Sequence, residues 1–188
     1  FDDYQECTDT RLLKDGDRVV GAFGYDRESG QFRVFHAGAV ILATGGLGRA
    51  FKITSNSWEC TGDGHSLGYH AGAELIDMEF IQFHPTGMVW PPSVRGILVT
   101  EGVRGEGGAL TNSEGRRFMY DDIPPLYTNQ TADTPEEGWR YVVGDRDARR
   151  PAELLTRDHV ARCILREVKE GRGSPHVGVF LDIAWIKD

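Results

Sequence analysis

Two short blocks of this 188-residue sequence carry the most information about its fold and function: residues 82–87 (Gln-Phe-His-Pro-Thr-Gly) and residues 98–105 (Leu-Val-Thr-Glu-Gly-Val-Arg-Gly). They place an imidazole, a hydroxyl, a carboxylate and a guanidinium on either side of a loop that contains Pro91 and Pro92. Such groups combine hydrogen-bond donors with titratable protons. The two blocks therefore predict a site that holds an anionic substrate and moves a proton.

An apolar run lies upstream of these blocks. Ala39–Ala43 is continuously apolar, which is typical of a strand buried on both faces. The run leads into Thr44, Gly45 and Gly46, so the chain is expected to turn sharply at the carboxyl end of that strand. Ligands of α/β sheets tend to bind at such an edge. A short glycine motif is also common in ordinary turns, so this signal is weak by itself.

Local patterns predict the remaining elements, which together form a mixed α+β chain. A β-hairpin is predicted from residues 18–25 and 31–36, with the turn at 26–30. A short helix is predicted from Asp63, as a possible cap, to about Ala71, with Gly72 at its end. The other predicted elements are strands over residues 74–84 and 97–101, a hairpin over 104–118, a polar excursion over 120–150 with a short helix near 135–141, and a helix over 158–170.

Composition and termini restrict the class of protein. The net charge of −8 gives nucleic-acid binding little electrostatic support. No apolar run approaches the ~18 residues that a membrane-spanning helix needs. The cysteines, Cys7, Cys60 and Cys163, are odd in number and widely spaced, which favours a reducing compartment over a disulfide framework. The sequence shows no signal-peptide pattern and does not start with methionine, so we expect a piece of a longer protein.

Simpler interpretations exist for several of the polar residues. His84 alone could be a structural histidine, and Glu101 with Arg104 could be a surface ion pair worth ~0–1 kcal/mol. Asp158 suits the start of a helix, whereas Arg157 is opposed there by the helix dipole, which hints at a functional constraint. The best candidate metal set is Asp63, His65 and His70. Its spacing matches no common zinc pattern, so we predict no metal site.

The order of the motifs resembles one family of flavoproteins. The motifs are Ala43–Gly46, Gln82–Gly87, Val99–Gly107, Gly115–Met119 and Arg157–Arg162. Together they are similar to the superfamily of succinate dehydrogenase, fumarate reductase and L-aspartate oxidase. The segments 131–134 and 171–176 look like the succinate dehydrogenase flavoprotein subunits of Gram-positive bacteria.

This resemblance implies a domain organisation. Residues 1–78 would be the C-terminal part of an FAD-binding domain, and residues 79–188 would be the capping domain, which binds substrate. The family's first FAD-binding segment, with its Gly-x-Gly-x-x-Gly loop, and a later segment with further substrate residues have no counterpart in the sequence. We therefore expect the 188-residue chain alone to bind FAD poorly, to be colourless and to be inactive.

The resemblance also implies roles for individual residues. By this resemblance, FAD would be contacted by Ala43, Thr44, Gly45 and Asp63, and the dicarboxylate would be held by His84 and Thr100. Arg157 would exchange a proton with a substrate carbon, and Glu101 and Arg104 would relay that proton. Deprotonating an ordinary arginine near pH 7 would cost on the order of 7–9 kcal/mol, so the relay has to be nearly concerted. The flavin N5 would exchange the hydride.

Partners and alternatives follow from the same resemblance. A membrane anchor and an iron–sulfur subunit are expected, with the flavoprotein at the cytoplasmic face of the plasma membrane. The same groups serve succinate oxidation and fumarate reduction, so either direction is compatible with the sequence. Two alternatives stay open at this point: an L-aspartate oxidase, which shares the His-Pro-Thr, Thr-Glu and Arg-Asp motifs, and a non-catalytic module that keeps only the fold.

Overall fold

A computed structural model describes residues 2–184 and 186. The chain divides into two compact units, residues 1–80 and residues 81–188. It is a mixture of helices and antiparallel strands, as the sequence predicts. Within the described residues, no helix is both long enough and apolar enough to span a membrane.

A three-stranded antiparallel sheet dominates the first unit. Its strands are β1 (Cys7–Asp15), β2 (Arg18–Asp26) and β3 (Phe32–His36), in the order β1-β2-β3. The predicted hairpin is confirmed as β2 and β3, and Asp26 explains its turn. The Asp26 carboxylate accepts hydrogen bonds from the Ser29 amide at 2.9 Å and from Arg33 at 3.0 Å. These bonds stabilise the charged form and lower the pKa of Asp26 to about 2.

The first unit also contains helix α1, Asp63–Ala71. The predicted helix is confirmed, but its N-cap is Gly62 and not Asp63. Gly62 has a φ of 89°, a left-handed conformation that glycine adopts readily. Gly72 ends the helix in the same conformation, and its amide donates to carbonyls of the last turn.

Two predicted strands are wrong. Residues 39–43 and 74–84 form no strand, and their apolar side chains are largely exposed: Ile41 is 91% exposed and Ile76 is 81% exposed. A strand requires a hydrogen-bonded neighbour as well as an apolar sequence. Among the described residues, no other segment pairs with either of these two.

In the described residues of the second unit, three helices accompany a small sheet. The helices are α2 (Glu101–Gly105), α3 (Pro135–Val142) and α4 (Arg157–Lys169), and the sheet pairs β4 (Ala109–Thr111) with β5 (Phe180–Asp182). Short 3-10 turns at Pro92–Val94, Phe118–Asp121, Pro125–Gln130 and Ala152–Leu154 connect them. A further 3-10 turn, Gly48–Ala50, lies in the first unit.

Two further predictions in this unit need correction. The strand predicted over 97–101 is reduced to one isolated bridge between Leu98 and Gly87, and Glu101 starts α2. The hairpin predicted over 104–118 does not form, because β4 pairs with the distant β5. Its predicted turn does exist, since the Asn112 side chain accepts the amides of Glu114 and Arg116 at 3.0 Å. The turn is local, whereas the choice of partner strand is not.

The helices predicted near 135–141 and over 158–170 are confirmed as α3 and α4. Thr134 caps α3 by accepting the Glu137 amide at 3.3 Å. Gly171, with a φ of 78°, follows the end of α4 and lets the Arg172 amide bond to the Glu167 carbonyl at 2.9 Å. Local signals therefore set both helix boundaries.

One hydrophobic core holds the second unit together. It consists of Leu110, Phe118, Met119, Ala152, Leu155, Val160 and Cys163. Val160 and Cys163 come from the buried face of α4, and Leu110 comes from β4. The core thereby fixes the start of α4 and the 3-10 turn Ala152–Leu154 relative to one another.

Replacing Met119 with alanine should destabilise this core. Met119 is 0% exposed, so Met119→Ala removes buried apolar contacts and leaves a cavity that typically costs about 2–5 kcal/mol. Met78→Ala is the matched control, because Met78 is 42% exposed and should cost far less. Urea denaturation followed by circular dichroism measures both changes. Equal unfolding midpoints for the two variants would contradict the assignment of Met119 to the core.

Candidate functional site

Arg157 joins three segments that are far apart in sequence. It is the first residue of α4, and its side chain extends toward α2 and the 82–87 block. Its Nε lies 3.2 Å from Oε2 of Glu101, across 56 residues of sequence. Its Nη1 donates to Oε1 of Gln82 at 3.3 Å, across 75 residues. The structure therefore brings the motifs containing residues 82, 101 and 157 together in one place.

The same carboxylate oxygen of Glu101 faces a second guanidinium. Arg104 Nη2 lies 3.5 Å from Oε2 of Glu101, one turn along α2. Arg104 is only 1% exposed, and its Nη1 donates to the backbone carbonyl of Glu153. Burial lowers the pKa of Arg104, and the positive charge of Arg157 adds to this, whereas Glu101 acts in the opposite direction. One carboxylate thus lies between an exposed and a buried arginine.

His84 belongs to the same electrostatic cluster. Its pKa is lowered, first by burial and then by the positive charges of Arg157 and Arg104, while Glu101 opposes them. The imidazole is therefore neutral near pH 7. A neutral imidazole still carries one N–H donor, which can bind a carboxylate without adding a proton to the site.

Two threonines lie in the two sequence blocks that form this cluster: Thr86 in residues 82–87 and Thr100 in residues 98–105. Thr100 is the N-cap of α2, where its hydroxyl oxygen accepts the Gly102 amide at 3.4 Å. In that role the hydroxyl keeps its hydrogen for donation to another group. Thr86 lies next to His84 and bonds to Val99, the residue before Thr100. Of these two threonines, the sequence motifs assigned a role only to Thr100.

Two other residues of the site region were not identified from sequence. Glu153 is 0% exposed, and its Oε1 accepts from Arg117 Nε at 3.0 Å, while its backbone carbonyl binds Arg104. Burial and the Glu153 charge raise the pKa of Tyr120 far above its ordinary value. Gln82 is the second of these residues: it begins the 82–87 motif, but the sequence suggested no function for it. A buried glutamate has no periodic sequence signal, so only the packing reveals Glu153.

The residues expected to contact a flavin lie in the first unit. Thr44 packs on the first turn of α1, so closely that a Cβ at Gly64 would lie 1.7 Å from Thr44 Oγ1. Gly45 has a φ of 73°, and Asp63 accepts a hydrogen bond from Thr61 Oγ1 at 2.6 Å. The structure therefore brings segment 43–45 and residue 63 together at a glycine-rich helix start. The first N–H groups of a helix have no partner within the helix, which suits a polar, phosphate-bearing cofactor such as FAD.

A different cluster has the geometry of metal ligands. Within the described residues, side-chain atoms of Asp122, His159 and Cys163 lie within 4.8 Å of one another, whereas residues 63–70 contain no such group. His159 Nε2 lies 2.7 Å from the Asp122 carbonyl oxygen, and the Asp122 carboxylate pairs with Arg166. Burial raises the pKa of the Cys163 thiol to about 11. These groups bond to one another or to Arg166, and they hold α4 against the segment that follows the 3-10 turn Phe118–Asp121.

The chain is similar in sequence to FAD-binding proteins and to the flavoprotein subunits of fumarate reductases. The FAD binding domain family matches residues 2–184. A fumarate reductase (CoM/CoB) subunit of Methanothermobacter marburgensis is 45% identical over 179 residues, which are 95% of this chain and 28% of that protein. The fumarate reductase flavoprotein subunit of Mycobacterium tuberculosis is 40% identical over 171 residues, which are 90% of this chain and 26% of that protein.

Solved structures show the same relationship. Mycobacterium smegmatis Sdh1 in complex with UQ1 is 56% identical, with a TM-score of 0.59 over 95% of this chain and 25% of that one. A variant of E. coli quinol fumarate reductase FrdA is 32% identical, with a TM-score of 0.75 over 96% of this chain and 28% of that one. The chain therefore spans about a quarter of the length of these relatives.

The charge cluster predicts opposite effects of two substitutions on His84. Arg157→Gln should raise the pKa of His84, because it removes a positive charge that disfavours the imidazolium. Glu101→Gln should lower that pKa further, because it removes the favourable negative charge. Burial is the largest cause, so the pKa should stay below 6.5 in both variants. NMR titration of the His84 ring protons measures it.

Arg162→Gln is the matched control for this titration. Arg162 lies on the same helix, but it pairs with Asp158 at 3.0 Å and does not contribute to the His84 shift. It should leave the pKa of His84 unchanged. Shifts of the same sign in the Arg157 and Glu101 variants would show that these residues do not surround His84.

Proposed function

The chain belongs to the FAD binding domain family, in the group that contains the flavoprotein subunits of succinate dehydrogenases and fumarate reductases, and from this premise we propose that it is part of an enzyme that interconverts succinate and fumarate. In this proposal, residues 1–78 form the end of the FAD-binding domain and residues 79–188 form the capping domain. One observation carries the proposal: Oε2 of Glu101 faces the guanidiniums of both Arg157 and Arg104.

The dicarboxylate is bound by donors and positive charge. The neutral imidazole of His84 and the hydroxyl of Thr100 donate hydrogen bonds to its carboxylates. The guanidinium of Arg157, which is half-exposed, adds a fixed positive charge beside the dianion. Donors held in place before the reaction stabilise charge that develops in the transition state. FAD, when bound by residues 43–45 and 63, supplies the hydride chemistry at N5.

The proton step uses the shared carboxylate. Arg157 gives a proton to the substrate carbon in fumarate reduction and takes it back in succinate oxidation. The neighbouring Glu101 oxygen, at 3.2 Å, returns a proton to Arg157, Arg104 at 3.5 Å supplies Glu101 in turn, and Arg104 regains its proton from solvent. Because the donor and acceptor atoms are already adjacent, Arg157 does not have to persist as a neutral arginine. The lowered pKa of the buried Arg104 assists this transfer.

The complete protein is proposed to work within a larger assembly. Electrons that reach FAD have to leave it, so an iron–sulfur subunit is the expected next carrier and a membrane anchor the expected site of quinone exchange. The solved relatives include Sdh1 in complex with UQ1 and a quinol–fumarate reductase with menaquinol molecules. The flavoprotein would then lie at the cytoplasmic face of the plasma membrane.

A substrate comparison tests this function. The complete flavoprotein should oxidise succinate with an artificial electron acceptor, or reduce fumarate with reduced viologen, and should not oxidise L-aspartate. Turnover of L-aspartate alone would identify an L-aspartate oxidase instead. If a flavin-loaded preparation showed none of these three activities, the alternative of a non-catalytic module would be supported.

Replacing Arg157 with lysine tests the proton step. Arg157→Lys keeps the positive charge but loses the planar geometry that faces both Glu101 and Gln82. The kcat for fumarate reduction should fall by about 10²-fold or more, the usual contribution of a positioned general acid. Arg162→Lys, on the same helix, is the control and should keep normal kcat. Near-normal kcat in Arg157→Lys would remove Arg157 from the proton step.

A further inference from the structure

We propose that Thr86 is a positioning residue that holds His84 in the tautomer with its proton on Nε2, so that the imidazole presents an N–H donor to a substrate carboxylate. The proposal deepens the proposed function and rests on it for the identity of the substrate.

The backbone amide of Thr86 decides the tautomer. Its nitrogen lies 3.3 Å from Nδ1 of His84 in a geometry suited to donation. A backbone N–H can only donate, so it requires an accepting Nδ1, whereas the Thr86 hydroxyl, also 3.3 Å from Nδ1, can pair with that nitrogen in either protonation state. A neutral imidazole has one accepting and one donating nitrogen, which leaves the proton on Nε2. In the opposite tautomer two N–H groups would face each other, and the amide of Thr86, a residue 8% exposed, would lose its acceptor.

The imidazolium is disfavoured by its surroundings. The charged groups facing His84 are Arg157 from α4 and Glu101 and Arg104 from α2. Burial and the two guanidiniums lower the pKa of His84, and one carboxylate does not outweigh them. The ring of the unliganded chain is therefore neutral near pH 7, and its single proton has to be on the correct nitrogen.

The side chain of Thr86 holds the amide in place. Its hydroxyl donates to the Val99 carbonyl at 2.8 Å, and its own carbonyl accepts the Val99 amide at 2.9 Å. Val99 directly precedes Thr100 and Glu101. Thr86 thus joins the histidine block to the block that carries the hydroxyl and the carboxylate. This fixes the position of Nδ1 relative to the amide and points the other edge of the ring, with Nε2, away from Thr86.

Nitrogen NMR measures the tautomer directly. Long-range ¹H–¹⁵N correlation spectra of the labelled 188-residue chain near pH 7 distinguish a protonated ring nitrogen from an unprotonated one. His84→Gln identifies the His84 signals among the six histidines. The expected result is an unprotonated Nδ1 and a protonated Nε2. A protonated Nδ1, or two equivalent nitrogens, would overturn the proposal.

Variants at residue 86 test the role of its side chain. Thr86→Val keeps the volume but loses the bond to Val99, so the ring should sample both tautomers and its two nitrogen shifts should move toward each other. Thr86→Ser keeps the hydroxyl and should give the original spectrum. An unchanged spectrum in a folded Thr86→Val chain would show that the side chain does not position His84.

Kinetics of the complete flavoprotein separates this proposal from the proposed function. Thr86→Val should raise KM for the dicarboxylate about tenfold, with a smaller effect on kcat, since a hydrogen bond to a charged group is weakened. Thr86→Ser should restore the KM. If the expected tautomer is found but the protein acts on neither succinate nor fumarate, the proposed function fails and the positioning role stands. A Thr86→Val enzyme with normal KM would overturn the positioning role.

Discussion

The second unit is organised around the need to bury the guanidinium of Arg104. An unpaired charge in a protein interior is costly, so α2, the 3-10 turn Ala152–Leu154 and the start of α4 have to meet around it. The Glu153 carbonyl and the Glu101 carboxylate are the partners that the structure provides. The core beneath, with Leu155 and Val160 on either side of the α4 start, holds these partners at the right separation.

The exposed half of the same cluster has a different role. The Arg157–Glu101 pair is nearly half-exposed on both sides, so solvent screens it and it adds little to stability. The pair instead fixes positions: it keeps the exposed guanidinium of Arg157 next to the Glu101 carboxylate, which also faces the buried Arg104. The cluster thus has a buried part, at Arg104 and Glu153, and an exposed part at the surface. That division suits the proposed proton exchange between Arg157 and a substrate, because the neighbouring groups stay fixed.

The sequence predicted the local elements and failed at the pairing of strands. The β2–β3 hairpin, α1, α3 and α4 all follow from signals within a few residues: a capping threonine, a terminal glycine, an Asp-Arg turn. Residues 39–43 and 74–84 have apolar sequences but no partner among the described residues, and β4 pairs with β5 some seventy residues away. An apolar pattern does not identify the strand that would pair with a segment, and in these two segments the apolar side chains are largely exposed. Prediction from sequence therefore assigns too many strands where an apolar segment has no neighbouring strand to pair with.

The sequence by itself supplied the residues of the proposed site and their order along the chain: His84, Thr100, Glu101, Arg104 and Arg157 could all be named from their motifs. Only the tertiary structure decided that one oxygen of Glu101 faces two arginines, that Glu153 is buried beside them, and that the Thr86 amide lies 3.3 Å from Nδ1 of His84. The reason is range. Caps and turns depend on neighbours a few residues away, whereas contacts across 56 and 75 residues depend on how the whole core packs.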